Sequence, residues 1–306
     1  MPTRICIVGC GAIGGLYAAH LAQLPDVEVW AYDTSEEQVA TINQHGLRIT
    51  GSVELVGHVQ ARTDADAIPP CSIGILATKG TVTEPAIKAT AQLFADGAVC
   101  SVQNGIGNEE IIAEHVPRVM RGITLPAVQL LEPGVIHLHA PGPTWIGPFE
   151  PKPATTEQIT ELAALLNSCG MQTSALADAR GAQWTKLLFN CSTNPLCALT
   201  GLTHGQLCEH APSRRLAGAL IEEGRAVATA LGITLEDDPA VLIDTAGKTN
   251  FNHRPSMLQD VSARRRTEIQ TLNGGIVSQA AQLGLQAPLN AAIVELILGL
   301  EHSWAL

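Results

Sequence analysis

The chain has 306 residues, of which 46% are hydrophobic and 15% are charged, a composition that predicts a compact fold and excludes a disordered chain. This length suffices for roughly two domains of about 100–200 residues each. Lys and Arg number 18 and Asp and Glu number 29, so the net charge is −11. Nucleic acids and anionic membranes attract basic surfaces, and we therefore do not expect either as a partner.

The first hundred residues alternate short β-branched runs with amphipathic stretches, which predicts βαβ units and a parallel sheet. The predicted strands are 4–8, 27–32, 53–60, 72–77 and 98–103, and the predicted helices are 12–24, 35–45 and 82–95. Short strands separated by Pro and Gly between 122 and 147 predict an antiparallel extension of the sheet. A helix at 156–169 and a strand at 172–176 complete an α/β domain, predicted to span 1–176.

The remainder of the chain, 177–306, shows helical periodicity without strand patterns and predicts an all-helical domain. The first residues run directly into a strand-like segment and do not resemble a signal peptide. The eight cysteines include no C-x-x-C pair and no metal-binding spacing. We therefore expect reduced thiols, no metal site and a cytoplasmic location.

The first predicted strand is followed by the pattern G-x-G-x-x-G, formed by Gly9, Cys10, Gly11, Ala12, Ile13 and Gly14. In such a loop the first Gly permits a tight turn, and the second lets a pyrophosphate approach the backbone. The third lets the helix pack closely on the strand, with the helix N-terminus facing the phosphates. The context between a strand and a helix predicts a dinucleotide-binding site, and a glycine-rich turn that serves packing alone is the alternative.

Asp33 follows the second predicted strand, 19 residues after Gly14. This is close to the spacing expected for an acid that accepts hydrogen bonds from ribose hydroxyls, so it favours NAD(H). No Lys or Arg between Arg4 and Arg48 could pair with the 2′-phosphate of NADP(H). The alternative for Asp33 is a turn or helix-capping residue.

A polar stripe runs along the predicted helix at 182–199. Its members are Lys186, Asn190, Thr193, Asn194 and Cys197, which fall within about 100° on a helical wheel. The other positions are mainly apolar, so the helix is expected to be buried and its stripe to face a partner, a cavity or water. A solvated stripe is the alternative.

A second unusual feature is the carboxylate of Glu268. Ser256 and Gln259 fit a capping box, which predicts a helix from Ser256 through Leu272. Glu268 would lie in the apolar stripe of that helix, where a carboxylate needs a partner. A structural pair with Arg264 and a functional site carboxylate are both compatible with this pattern.

Five blocks carry a family resemblance: the glycine loop at 9–14, Ala77-Thr78-Lys79, Gln103-Asn104-Gly105, Lys186-Leu187-Leu188-Phe189-Asn190 with Asn194, and Ser256-Met257-Leu258-Gln259-Asp260 with Glu268. Together they resemble the ketopantoate reductases (2-dehydropantoate 2-reductases), in order and over nearly the whole chain. The resemblance implies a Rossmann domain, a helical substrate-binding domain and an active site in the cleft. It also implies reduction of a 2-keto acid to a 2-hydroxy acid by nicotinamide hydride.

The resemblance also implies roles by position. Lys186 would be the general acid, and Glu268 would hold a substrate hydroxyl or Lys186. Asn190, Asn194 and Ser256 would bind substrate. Asn104 would lie near the nicotinamide and the substrate, and Lys79 beside the cofactor.

Asp33 departs from the family pattern, because members commonly use NADPH and carry a basic residue near the end of the second strand. We therefore expect NAD(H), with NADP(H) as the family-typical alternative.

Two other functions stay open: NAD-dependent oxidation of a different 2-hydroxy acid, and a non-catalytic NAD(H)-binding regulator. His253 and Arg254 could alter substrate selection, Arg254 as a carboxylate clamp or merely as an exposed loop residue. The expected partner is a small 2-keto or 2-hydroxy acid, and a homodimer is the oligomer considered.

Overall fold

The computed structural model describes residues 2–304, and its internal contacts divide the chain into two units. The first unit comprises Met1–Gln103 and Asn108–Ala179. The second comprises Arg180–Leu306 together with the short segment Asn104–Gly107. The segment 104–107 therefore belongs by its contacts to the helical part of the protein, although it follows a strand of the first unit.

The first unit contains both strands and helices. Its strands are β1 (Thr3–Val8), β2 (Val27–Tyr32), β3 (Leu47–Gly51), β4 (Leu55–Gly57), β5 (Gln60–Arg62), β6 (Ile73–Leu76), β7 (Ala98–Ser101), β8 (Val119–Thr124), β9 (Ala127–Glu132), β10 (Val135–Ala140), β11 (Thr144–Pro148) and β12 (Thr173–Ala175). Its helices are α1 (Ala12–Leu21), α2 (Glu36–His45), α3 (Thr83–Thr90), α4 (Asn108–His115) and α5 (Thr156–Ser168).

The main sheet has the order β12-β11-β8-β7-β6-β1-β2-β5. The strands from β8 to β5 pair in parallel, and β11 pairs antiparallel to β8. This confirms the predicted parallel sheet with an antiparallel extension. Because the side chains of β1 alternate between two faces, Ile5 and Ile7 pack into one apolar cluster and Cys6 and Val8 into another.

The segment predicted as one strand at 53–60 is instead divided between two sheets, so this prediction was wrong. β4 belongs to a second sheet of order β4-β3-β10-β9, and β5 joins the edge of the main sheet beside β2. A Cβ on Gly57 would lie 2.4 Å from the Ala19 Cα, so only glycine fits where the chain passes α1 between the sheets. The β9–β10 hairpin pairs with β3 in this second sheet and does not extend the main one.

The second unit is helical, and the part of it that the structure describes contains no strand, as predicted. Its helices are α6 (Arg180–Thr200), α7 (His204–Glu209), α8 (Ala211–Ala230), α9 (Pro239–Thr249), α10 (Ser256–Ser262), α11 (Asn273–Gln282) and α12 (Pro288–Ser303). No helix within residues 2–304 is long and apolar enough to span a membrane. All eight cysteines are free thiols, and six of them are buried.

The helix predicted from Ser256 through Leu272 ends at Ser262, so this prediction was wrong in its second half. The N–H of Arg265 donates to the Asp260 carbonyl at 2.8 Å and the N–H of Arg264 to the Val261 carbonyl at 3.0 Å. Arg264 has φ 51°, and together these features form a Schellman C-terminus.

The predicted capping box at the start of α10 is also absent. The N-cap residue is Pro255 and Ser256 is the first helical residue. The side chain of Gln259 donates to the Arg254 carbonyl at 2.9 Å, whereas in a capping box it would accept the N–H of the N-cap residue.

Helix α6 continues through Pro195, although proline removes a backbone donor. The Cys191 carbonyl, four residues earlier, accepts a hydrogen bond of 2.9 Å from Asn273 Nδ2 at the start of α11. The same Nδ2 donates to Asn290 Oδ1 on α12 at 2.9 Å. A side chain from α11 thus supplies the donor that Pro195 lacks.

We expect Asn273→Ala to lower the free energy of unfolding by about 2–4 kcal/mol, because it leaves two buried acceptors without a donor. Chemical denaturation measures this loss. In a Pro195→Ala background the restored N–H can serve the Cys191 carbonyl, so the same substitution should be less destabilising there. Equal losses in the two backgrounds would contradict the assigned role of Asn273.

Candidate functional site

The glycine loop has the backbone geometry that its sequence predicts. Gly9 adopts φ 89°, and a Cβ on Gly14 would lie 1.9 Å from the Gly9 carbonyl oxygen. A Cβ on Gly11 would meet no atom within 4 Å, so this side of the loop is open. The first turn of α1 has no side-chain cap. Open space beside uncapped helical N–H groups fits the pyrophosphate of a dinucleotide.

The backbone of Cys10, in the middle of this loop, is held at both its N–H and its carbonyl. Its N–H donates to Asp33 Oδ2 at 2.8 Å, and its carbonyl accepts from Gln38 Nε2 at 2.6 Å. Gln38 Oε1 in turn accepts the N–H of Gly134 at 3.0 Å, in the β9–β10 hairpin. The sequence alone does not reveal this role of Gln38, because its partners are distant in the chain.

Asp33 is a turn residue, one of the two roles that its sequence position left open, and it also holds the glycine loop. Its Oδ1 accepts the N–H of Ser35 at 2.9 Å, in the turn before α2, while its Oδ2 holds the glycine loop. A carboxylate offers about four acceptor positions, so two remain for ribose hydroxyls. Ser35 caps α2, since its side chain accepts the N–H of Gln38.

The loops after β6 and β7 meet the same end of the sheet. A Cβ on Gly9 would lie 2.6 Å from Thr78 Cγ2, so the turn after β1 is packed against the turn after β6. Gln103 Nε2 donates to the Thr78 carbonyl at 3.0 Å and to Thr83 Oγ1 at 2.8 Å. Lys79 follows Thr78 and is exposed. The glycine loop and the loop that carries Lys79 are thus brought together.

Arg62 is a basic residue near Asp33 whose proximity is not evident from the sequence. It ends β5, its Cα pairs with Tyr32 of β2, and its carbonyl accepts the N–H of Asp33 at 3.2 Å. The prediction of a single strand at 53–60 concealed this neighbour. No Lys or Arg lies between Arg4 and Arg48 in the sequence, but the fold places Arg62 close to Asp33 in space.

In the second unit, Asn104 connects Lys186 to Glu268. Lys186 Nζ donates to Asn104 Oδ1 at 2.8 Å, and Asn104 Nδ2 donates to Glu268 Oε2 at 3.1 Å. An ammonium can only donate and a carboxylate can only accept, so the orientation of the Asn104 amide is fixed by its two partners. The structure therefore brings together three of the predicted site residues.

The backbone explains why Asn104 reaches these partners. Gly105 has φ 88°, and a Cβ there would lie 2.3 Å from the Thr271 carbonyl oxygen. The N–H of Ile106 donates to that carbonyl at 2.9 Å. Glu268 lies in the turn before α11, and Asn104 Nδ2 is a hydrogen-bond partner that the helical wheel could not identify. Placing Glu268 on a helix was wrong, although its need for a partner was correctly inferred.

Lys186 is half-buried as a whole residue. Burial lowers its pKa from the usual value near 10.5 to about 8, and the nearby charge of Glu268 opposes this decrease. Lys186 is consequently protonated at neutral pH but loses its proton at a mildly alkaline pH. A group with this pKa can act as a general acid.

Asn190 and Asn194 follow Lys186 on α6. Asn190 is half-buried and Asn194 is buried. The amide nitrogens of both make no hydrogen bond to residues 2–304, so these donors can serve a ligand. Ser256 is exposed at the start of α10, which packs against α6.

His253 and Arg254, in the loop before α10, have different surroundings. The ring of His253 lies 5.0 Å from that of His204. Burial lowers the pKa of His204 to about 4, so His204 is neutral at physiological pH. Arg254 is exposed and donates to Ser262 Oγ at 2.7 Å, which ties this loop to α10.

Comparison with known proteins gives consistent results along the chain. Residues 5–151 match the family model described as "Ketopantoate reductase PanE/ApbA", and residues 178–301 match the model of its C-terminal domain. The 2-dehydropantoate 2-reductase of Pyrococcus horikoshii is 34% identical over 96% of each chain.

Two solved structures have similar folds. The crystal structure of a PanE/ApbA family ketopantoate reductase from Ralstonia eutropha superposes with a TM-score of 0.88 at 29% identity, covering 98% of this chain and 99% of that one. D-mandelate dehydrogenase in complex with NADH superposes with a TM-score of 0.88 at 25% identity and the same coverage. The matched models, the identity over nearly the full length and the shared fold show that the chain belongs to the ketopantoate reductase family.

Proposed function

We propose that this protein reduces a 2-keto acid to a 2-hydroxy acid with a nicotinamide cofactor, as its relatives named 2-dehydropantoate 2-reductase do. The observation that carries the proposal is the chain of hydrogen bonds from Lys186 through Asn104 to Glu268. Dinucleotide binding alone requires neither Lys186 nor Glu268. We also propose residues 1–176 as the cofactor domain, residues 177–306 as the substrate domain, and a cytoplasmic enzyme, because eight free thiols suit a reducing compartment.

The proposed chemistry assigns the proton to Lys186. A nicotinamide cofactor, when bound, supplies a hydride to the carbonyl carbon. The ammonium of Lys186 stabilises the charge that develops on the carbonyl oxygen and then donates its proton there. Asn104 holds the ammonium in place, and Glu268 favours its charged form.

The remaining polar residues of the second unit suit an anionic substrate. Asn190 and Asn194 offer amide donors without adding negative charge near a carboxylate. Ser256 offers a hydroxyl that can donate or accept. In this proposal these three residues bind and orient the substrate, and Lys186 with Glu268 carries the proton chemistry.

A second candidate is the reverse reaction, NAD-dependent oxidation of a different 2-hydroxy acid. Two observations favour it: the similarity to D-mandelate dehydrogenase with NADH, and a Lys186 pKa of about 8, which makes the neutral amine available as a base in mild alkali. A panel of 2-keto acids, including 2-dehydropantoate, and their 2-hydroxy products should be assayed by NADH and NADPH absorbance. Turnover of no acid in either direction would refute both candidates and leave a regulator.

We expect Lys186→Ala to lower kcat by about 10²–10⁴-fold, because it removes the proposed general acid. Stopped-flow or steady-state absorbance measures this loss, and cofactor affinity should be retained. Lys248→Ala is the matched control, since Lys248 is exposed on α9 of the same unit. Substantial turnover by a folded Lys186→Ala protein would contradict the role of Lys186.

We expect the rate of keto acid reduction to fall as the pH rises through about 8, where Lys186 loses its proton. Glu268→Gln removes the charge that raises this pKa but keeps an acceptor for Asn104, so the decline should move to lower pH. The activity at pH 7 should fall by about tenfold or more. Glu301→Gln is the control, because Glu301 supports the same segment through Thr267 without contacting Lys186. An unchanged pH profile in Glu268→Gln would indicate a purely structural carboxylate.

We propose a preference for NADH over NADPH, because the Asp33 carboxylate at the glycine loop repels a 2′-phosphate. Two such charges a few ångströms apart disfavour each other by about 1–4 kcal/mol. Asp33→Asn should therefore raise kcat/KM with NADPH relative to NADH by about tenfold or more. Asp238→Asn, at the start of α9 in the second unit, is the control. A wild-type preference for NADPH would refute the expectation.

A further inference from the structure

Arg62 ends β5, the strand that pairs with β2, and Asp33 directly follows β2. Both residues lie at the end of the sheet that carries the glycine loop. β5 runs parallel to β2, with Ala61 beside Ala31 and Arg62 beside Tyr32. Parallel strands present their carboxyl ends at one edge, where dinucleotides bind in sheets of this type. Arg62 and Asp33 thus place opposite charges at neighbouring strand ends.

The guanidinium of Arg62 is held by an aromatic ring and not by a carboxylate. Its Cζ lies 5.3 Å from the ring centroid of Trp30, and its Nη1 donates to the Ala61 carbonyl at 2.8 Å. It forms no ion pair with a carboxylate of residues 2–304, and both oxygens of Asp33 already accept backbone N–H groups. A guanidinium has five N–H donors, so four remain for a ligand.

We propose that Arg62 is a second determinant of cofactor choice, which binds the 2′-phosphate and opposes the repulsion from Asp33. The inference rests on the proposed nicotinamide-dependent function. Arginine pairs with phosphate through two parallel hydrogen bonds, and stacking on Trp30 restricts the side chain before binding. The protein therefore binds NADPH as well as NADH, although Asp33 keeps NADH the preferred cofactor.

The test is a fluorescence titration of the full-length protein with NADH and with NADPH. Arg62→Gln should raise the Kd for NADPH by about tenfold or more, because a charge-assisted pair with phosphate is lost. The Kd for NADH should change by less than about twofold, because NADH has no 2′-phosphate. Arg62→Lys, which keeps the charge but not the paired donors, should have an intermediate Kd for NADPH. The control is Arg48→Gln, because Arg48 is exposed on β3 of the second sheet.

The outcomes distinguish this inference from the function on which it rests. Equal changes for the two cofactors in Arg62→Gln would indicate a structural residue and overturn the inference alone. An unchanged Kd for NADPH in that variant, an equally large change in Arg48→Gln, or a wild-type protein that binds NADH but not NADPH would do the same. Failure of the wild-type protein to bind either cofactor would overturn the proposed function together with the inference.

Discussion

A positive charge that is partly removed from water must be stabilised by nearby acceptors, and this constraint organises the candidate site around Lys186. The Asn104 amide accepts from the ammonium with one end and donates to Glu268 with the other. This arrangement requires the 104–107 segment to lie against the turn that precedes α11. Glycine at 105 is the only residue type that fits there, because a side chain would collide with the Thr271 carbonyl. The chemistry of one lysine thus explains a backbone requirement in a distant segment.

In the first unit, polar side chains likewise hold a backbone segment in place. The Asp33 carboxylate accepts the N–H of Cys10 in the glycine loop, and Gln38 donates to the carbonyl of the same residue. The loop conformation is therefore determined by protein groups before any dinucleotide is bound. Such preorganisation reduces the entropy that binding must remove, which is the usual benefit of a rigid anion-binding turn.

The sequence predicted those features that depend on local periodicity or on a short motif. The glycine loop, the strands β1, β2, β6 and β7 and the buried helix α6 follow from patterns within a few residues. Arg62 and Gln38 could not be found in this way, because their significance depends on which strands and hairpins become neighbours. The result for Glu268 is mixed. Its predicted place in an apolar stripe correctly indicated a need for a partner. A helix extended past Ser262, however, gave it the wrong backbone and suggested Arg264 as the partner. Helix α10 ends shortly before Arg264, which adopts a left-handed conformation although it is not glycine, and the sequence offers little signal for such an end.

In α6 the side chain of Asn273 donates the hydrogen bond that the backbone at Pro195 cannot donate, and this has an evolutionary consequence. Pro195 is tolerated because Asn273, more than seventy residues later, donates to the carbonyl that proline leaves without its usual partner. Pro195 is less destabilising when Asn273 is present, and one of the two hydrogen bonds of Asn273 is needed because of Pro195. A lineage that replaces Pro195 loses one reason to retain Asn273, whereas a lineage that loses Asn273 first must carry an unstable helix at the candidate site. We therefore expect the two positions to change together, and the order of those changes to be constrained.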